Sequence, residues 1–161
     1  MNETELMRYC VELSRRKMVE ENAAPFAALI VKDGEIVAEG INTAEADHDP
    51  TLHGEVDAIR KACAKLKTLD LSGHDLYTSC EPCQMCVAAI WWAGIDRVFY
   101  ANALTDTAEL LPLDELTHDV THPIHERSAP ATQLLADEAK AIIVEWVDSG
   151  RADAVLGAKG A

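Results

Sequence analysis

Apolar residues along this chain recur first at helical spacing, then in alternating or continuous short runs, and the changes between the two divide it into elements. Between Thr4 and Glu21, Leu6, Met7, Cys10, Leu13 and Met18 fall near helical spacing and Pro25 follows, which predicts a helix ending before the proline. The runs "FAALIVK" (26–32) and "EIVAEGI" (35–41) flank Asp33-Gly34, a strong hairpin signal that predicts two antiparallel strands. Residues 42–50 are polar and turn-rich. Helical spacing returns from Leu52 to Leu66, with Val56, Ile59, Ala62, Cys63 and Leu66 on one stripe. A short strand, "DLYTS" (75–79), a helix from Cys83 to Ala93 and a strand, "DRVFYAN" (96–102), complete the clear pattern.

The resulting β-β-α-β-α-β order, after an opening helix, predicts a mixed sheet covered by helices in one layered α/β domain. Past Thr105 the pattern weakens. Pro112, Pro123 and Pro130 interrupt it, and 131–149 is the one later stretch that reads as helix. No internal repeat, low-complexity segment or linker appears.

Length and composition narrow the classes. The 161 residues match one domain, and a hydrophobic content of 48% with 26% charged residues is ordinary for a globular protein. No apolar run approaches the roughly 20 residues that span a bilayer, and "MNETELMRYC" has neither a basic leader nor an apolar stretch. The expectation is a cytoplasmic protein without a membrane partner. With 28 acidic against 14 basic residues the formal charge is −14, which repels polyanions, so no nucleic-acid partner is expected. Arg15, Arg16 and Lys17 form the one basic run of three and read as a solvated helix face.

Candidate chemistry concentrates in "LYTSCEPCQMCVAAIWWAG" (76–94), where Cys80, Cys83 and Cys86 are evenly spaced. A ferredoxin-type iron–sulfur run needs a further cysteine and a proline where Ile90 and Trp91 stand. A thioredoxin-type redox pair at Cys83 and Cys86 fits a helix start, since a helix N-terminus stabilises a thiolate. The same property favours a metal, and Pro82 directs the chain into the helix. Upstream, "LHGEVDAIR" places His53 and Glu55 at the start of the other central helix. One histidine and two cysteines make three zinc donors, one fewer than a structural site holds. Glu55, two residues from His53, is placed to move a proton of a water activated by the ion. The alternative is a closed structural site with Cys80 as fourth ligand. The combination His-x-Glu with Pro-Cys-x-x-Cys is the signature of zinc deaminases. Farther on, "HDVTHPIH" offers His118, His122 and His125 as a second metal site, but Pro123 breaks any helix that would align them, and a solvated loop is expected.

The stretches "DPTLHGEVDAIRKAC" and "LYTSCEPCQMCVAAIWWAGIDRVFYANALTDTAE" resemble the cytidine-deaminase-like superfamily and, within it, bacterial guanine deaminases, across Pro25 to Glu109. The resemblance implies a three-layer α/β/α fold with a central mixed five-stranded sheet. It also implies Zn2+ held by His53, Cys83 and Cys86, with Glu55 as the proton shuttle. By the same resemblance Phe26 and Trp92 would sandwich a flat base, and Asn42 and Asp114 would hydrogen-bond it. Of the two adjacent tryptophans, Trp91 would be packing; an Asx-turn is the equal and compatible alternative for Asn42. A homodimer is implied, with the segment from residue 131 exchanged between subunits to close the pocket, although the chain end "DAVLGAKGA" has no aromatic residue and the last one is Trp146. Gly54 stands where most guanine deaminases have alanine, and fungal-type cytosine deaminases share "HGE". The expectation is a zinc aminohydrolase of a free nucleobase, guanine first, with cytosine or another small amino-heterocycle or nucleoside as the rival. A transfer-RNA adenosine deaminase is opposed by the charge, and a zinc-stabilised scaffold is the alternative outside enzymes.

Overall fold

Helix α1 spans Glu3–Glu21 in the computed structural model, which describes residues 1–109, 113–129 and 131–156. Its start is set by a capping box: the Asn2 side chain accepts from the Glu5 N–H, and the Glu5 carboxylate accepts from the Asn2 N–H. The chain forms two compact units, Met1–Leu113 and a second beginning at Asp114.

In the first unit, β1 (Ala24–Lys32) and β2 (Glu35–Asn42) form the expected antiparallel hairpin. Asp33 and Gly34 have φ of 50° and 79°, the left-handed pair that lets a two-residue turn follow the strand twist. Strand β3 (Asp75–Cys80) pairs antiparallel with β1, and β4 (Arg97–Asn102) pairs parallel with β3, giving the order β2-β1-β3-β4. Helices α2 (Gly54–Leu66) and α3 (Gln84–Ala93) cover one face and α1 the other. Ala28, Ile30 and Leu76 pack with Ala58, Ala62, Ile90 and Ala93; Ala27, Leu29, Val31 and Tyr77 pack with Leu6, Cys10 and Leu13. Because both faces of β1 are covered, its sequence is a continuous apolar run rather than an alternation.

This is the expected three-layer α/β/α arrangement, with one correction. Among the described residues the sheet has four strands, not five. The fifth came from the resemblance alone. After Asn102 come a 3-10 helix, Leu104–Thr107, and, in the second unit, α4 (Asp114–Thr121), and among the described residues between them none is in a strand.

The second unit comprises α4, a 3-10 turn at Ile124–Glu126, α5 (Ala136–Asp148) and α6 (Asp153–Leu156). Helix α4 is absent from the sequence expectations because it is only two turns long and has just Leu116 and Val120 at helical spacing; Asp114 and Glu115 in its first turn favour a helix start. His118 therefore sits on a helix rather than a loop, its ring stacked on that of His122 with centroids 3.7 Å apart. Pro123 follows where the helix has ended. Helix α5 begins at Ala136, after residues 131–135, which have no regular secondary structure and end on Leu135 at φ 53°. Pro112, Pro130 and residues 157–161 lie outside the described residues.

Helix α2 departs from expectation in part: Ala62 is buried and Ile59 and Cys63 pack against the core as expected. Its buried face is made of Gly54, Glu55, Ala58 and Ala62, while Leu66, expected on the apolar stripe, is 42% exposed. Small residues face the sheet because the backbones almost touch: a Cβ on Gly40 of β2 would lie 2.1 Å from the Gly54 carbonyl oxygen and 2.3 Å from the Ala58 nitrogen. Those are backbone atoms and cannot swing aside. Gly40→Ala is therefore expected to cost at least the upper end of the ~1–3 kcal/mol typical of overpacked cores, measured by denaturant unfolding. A variant as stable as the parent would contradict this contact.

Candidate metal centre

Two helix starts meet at one end of the sheet. His53 is the N-cap of α2 and Cys83 the N-cap of α3, both with extended backbone. Neither side chain makes the hydrogen bond that an N-cap usually supplies to its own helix, so imidazole and sulfur are available to other partners. Cys86, in the first turn of α3, is fully buried. His53 Nδ1 lies 3.7 Å from Cys83 Sγ and 3.6 Å from Cys86 Sγ, and the two sulfurs are 3.8 Å apart.

Those separations test the fit of an ion. Zn–S bonds of about 2.3 Å and Zn–N bonds of about 2.0–2.1 Å at tetrahedral angles require about 3.8 Å between sulfurs and about 3.6 Å from sulfur to nitrogen. The three donors stand at the distances that zinc requires. Among the described residues, His53, Cys83 and Cys86 are the group of His, Cys, Asp and Glu side chains so arranged. Cys80 does not join them. Its sulfur accepts a hydrogen bond from Asn102 Nδ2 at 3.6 Å, so the donor count stays at three, the number of a catalytic rather than a structural zinc site.

Glu55, only 6% exposed, turns into the same space. Its Oε2 is 3.4 Å from Cys86 Sγ, and its Oε1 accepts from Thr78 Oγ1 at 3.2 Å. Thr78 was not a sequence candidate. The available signal was its parity with Leu76 on β3, which points it toward the face covered by α2 and α3.

The cluster polarises its own protons. A hydrogen bond from Cys86, opposed by burial and helped by His53, holds the Cys83 thiol down at about 4. Cys86 is pushed up in turn, by sharing that hydrogen bond and then by burial. The contact with Cys83 raises His53, and burial raises Glu55 against the pull of its hydrogen bonds. The cluster thus favours a thiolate at Cys83 over one at Cys86, with a carboxyl group of raised proton affinity against it.

The other candidates are more scattered. Phe26 is half-buried on β1, beside the start of α2: a Cβ on Gly54 would lie 3.0 Å from the Phe26 carbonyl oxygen. Asn42 ends β2, and its Oδ1 accepts from the Ala44 N–H at 3.2 Å, the Asx-turn considered for it. Trp91 and Trp92 meet edge to face and are 61% and 56% exposed, so Trp91 is not the packing residue expected of it. Trp92 stands six residues beyond Cys86, about 9 Å along the helix axis and on a different face. Asp114 is the first residue of α4, in the second unit. His118, His122 and His125 form no metal-binding group among the described residues.

Comparison with known proteins agrees with this centre. Residues 1–102 match the family model described as the cytidine and deoxycytidylate deaminase zinc-binding region. The chain is 42% identical over 147 residues to a guanine deaminase of Bacillus subtilis, covering 91% of this chain and 94% of that protein. It is 34% identical over 122 residues to a tRNA-specific adenosine deaminase of Aquifex aeolicus, covering 70% and 81%. An X-ray structure of guanine deaminase from Bacillus subtilis superposes with a TM-score of 0.87 at 40% identity, over 92% of this chain and 95% of that one. With a zinc-spaced donor set on the fold and a family match over most of its length, the chain belongs to the cytidine and deoxycytidylate deaminase family of zinc-binding proteins.

Proposed function

We propose that the chain is a zinc-dependent aminohydrolase that converts guanine and water to xanthine and ammonia. The observation that carries the chemistry is the buried carboxyl of Glu55 set against three donors at tetrahedral zinc separations. The choice of base is supported by the 42% identity to a guanine deaminase across nearly the whole chain.

In this reading His53, Cys83 and Cys86 hold the ion. Zinc, when bound, supplies Lewis acidity and makes water acidic enough to attack near neutral pH. Glu55 does the proton work. Its carboxylate takes a proton as the water oxygen bonds to the amino-bearing ring carbon, and returns it to the nitrogen as the carbon–nitrogen bond breaks. Burial suits it to both steps, because a carboxyl with raised proton affinity is a better base when ionised and still an acid when protonated.

For the base itself, the family resemblance supports Phe26 and Trp92 as flat walls and Asn42 and Asp114 as hydrogen-bonding partners. A carboxylate accepts from ring donors that guanine has and adenine lacks. Gly54 does not by itself favour the cytosine reading, because a Cβ there would meet the Phe26 and Ala27 backbone at 3.0–3.2 Å, a tight fit that glycine relieves for packing reasons alone. A homodimer is supported by α5, where Ile142, Ile143 and Val147 are more than half exposed on a helix with no buried residue. A cytoplasmic location is supported by five cysteines that form no disulfide, the state that a reducing compartment maintains.

Glu55→Gln is expected to keep one zinc per chain and the parental melting temperature while losing about 10²–10⁴-fold in turnover. Ammonia release from guanine, adenine, cytosine and their nucleosides decides the base, and cytosine outpacing guanine would sink the assignment. Zinc affinity, read against a competing chelator, should rise with pH. Cys83 is already ionised above about 4, so one proton leaves Cys86 and a second leaves His53 once pH is below its raised value. The logarithm of the affinity then changes by about one per pH unit in the alkaline range and about two in the acid range. A flat profile would mean that these residues are not the ligands. With a charge of −14, transfer RNA should bind weakly even at low salt, and submicromolar binding with a steep salt slope would move the reading toward the transfer-RNA enzymes.

A further inference from the structure

We propose that Thr78 is a positioning residue for Glu55, holding one carboxyl oxygen in place through a hydroxyl shared with the Cys80 carbonyl. The inference rests on the aminohydrolase reading above. Thr78 is 2% exposed on an interior strand, paired with Ala28 of β1 on one side and Tyr100 of β4 on the other. Two neighbouring strands therefore fix its backbone. Its Oγ1 lies 3.2 Å from Glu55 Oε1 and 2.9 Å from the Cys80 carbonyl oxygen.

A hydroxyl has one hydrogen to donate and two lone pairs that accept. Here two acceptors face that one hydrogen. Held at Oε1, the carboxyl turns Oε2 toward Cys86 Sγ and the metal site, and it is Oε2 that takes the proton from water and returns it to the leaving nitrogen. Oε1 remains an acceptor whether or not Oε2 carries the proton, so the Thr78 hydroxyl keeps its hold through the whole shuttle. No bond to Thr78 forms or breaks. The contact with the Cys80 carbonyl keeps the threonine side chain in the rotamer that faces Oε1. A threonine needed only for packing would have no use for the contact with Oε1. Misplacement of a reacting group by about 1 Å costs on the order of 10²-fold in rate.

Thr78→Val keeps the shape and removes the hydroxyl; Thr78→Ser keeps the hydroxyl and removes a methyl. Both are made in the full chain, loaded with zinc, and compared with the parent in metal content, kcat, KM and crystal structure. The valine variant is expected to hold one zinc per chain and to lose about 10²-fold in kcat, with KM for guanine changed less than about threefold. Serine should restore most of kcat. In the crystals, the Glu55 carboxyl should be displaced or split between rotamers in the valine variant and unmoved in the serine variant. A valine variant with parental kcat, one that loses its zinc, or a serine variant as slow as valine would each overturn the proposal. If the parent itself releases no ammonia from any base, the aminohydrolase reading falls. The crystal comparison then decides Thr78 separately, and an undisturbed Glu55 beside Val would overturn it.

Discussion

The near-contact of α2 with the edge hairpin governs the rest of the site. Gly40, Gly54 and Ala58 remove side chains from the line where helix and strand backbones meet. A helix lying that close to the sheet brings its first turn down beside β1, with Gly54 against the Phe26 carbonyl. His53 and Glu55 belong to that turn, so their positions are set by a packing distance several residues away. Larger residues at the same places would lift the helix and carry imidazole and carboxyl away from the sulfurs with it.

The second half of the site depends on the strand that feeds α3. β3 lies between β1 and β4, its backbone bonded on both sides, and it ends at Cys80. The Glu81 N–H donates to the Asn102 carbonyl, and the Glu81 carboxylate accepts from the Leu104 N–H, so the turn between strand and helix is anchored to the end of β4. Cys83 and Cys86 then enter the first turn of a helix, where the dipole and the exposed N–H groups favour negative sulfur. The electrostatics follow from the geometry: a thiolate favoured at Cys83 over Cys86, histidine drawn toward its charged form, and a carboxyl kept from ionising freely by burial.

Much of the fold was legible because its signals are local. Asp33-Gly34 between two apolar runs strongly favours the left-handed pair of a two-residue hairpin turn, and a short apolar run such as "FAALIVK" reads as a strand covered on both faces. The α2 stripe was read less well. Leucine at 66 is more hydrophobic than alanine at 58, yet alanine is buried and leucine exposed, because the closeness of β2 rather than hydrophobicity selects the face. Helix α4 is too short for its Leu116 and Val120 to stand out as a stripe, and the fifth strand comes from a family likeness without a matching pattern in the chain.

The chemistry divides in the same way. The sequence by itself determined which groups could bind a metal and move a proton, since His-x-Glu and Pro-Cys-x-x-Cys place them at helix starts, where backbone geometry is nearly invariant. Only the tertiary structure decided that His53 stands within 3.6–3.7 Å of both sulfurs, that Cys80 turns instead toward Asn102, and that a buried threonine from the central strand holds Glu55. Spacing along a chain specifies the direction of a side chain within its own helix or strand. The distance between two helix starts, separated by thirty residues in sequence, is fixed only when small residues let one of them settle onto the sheet.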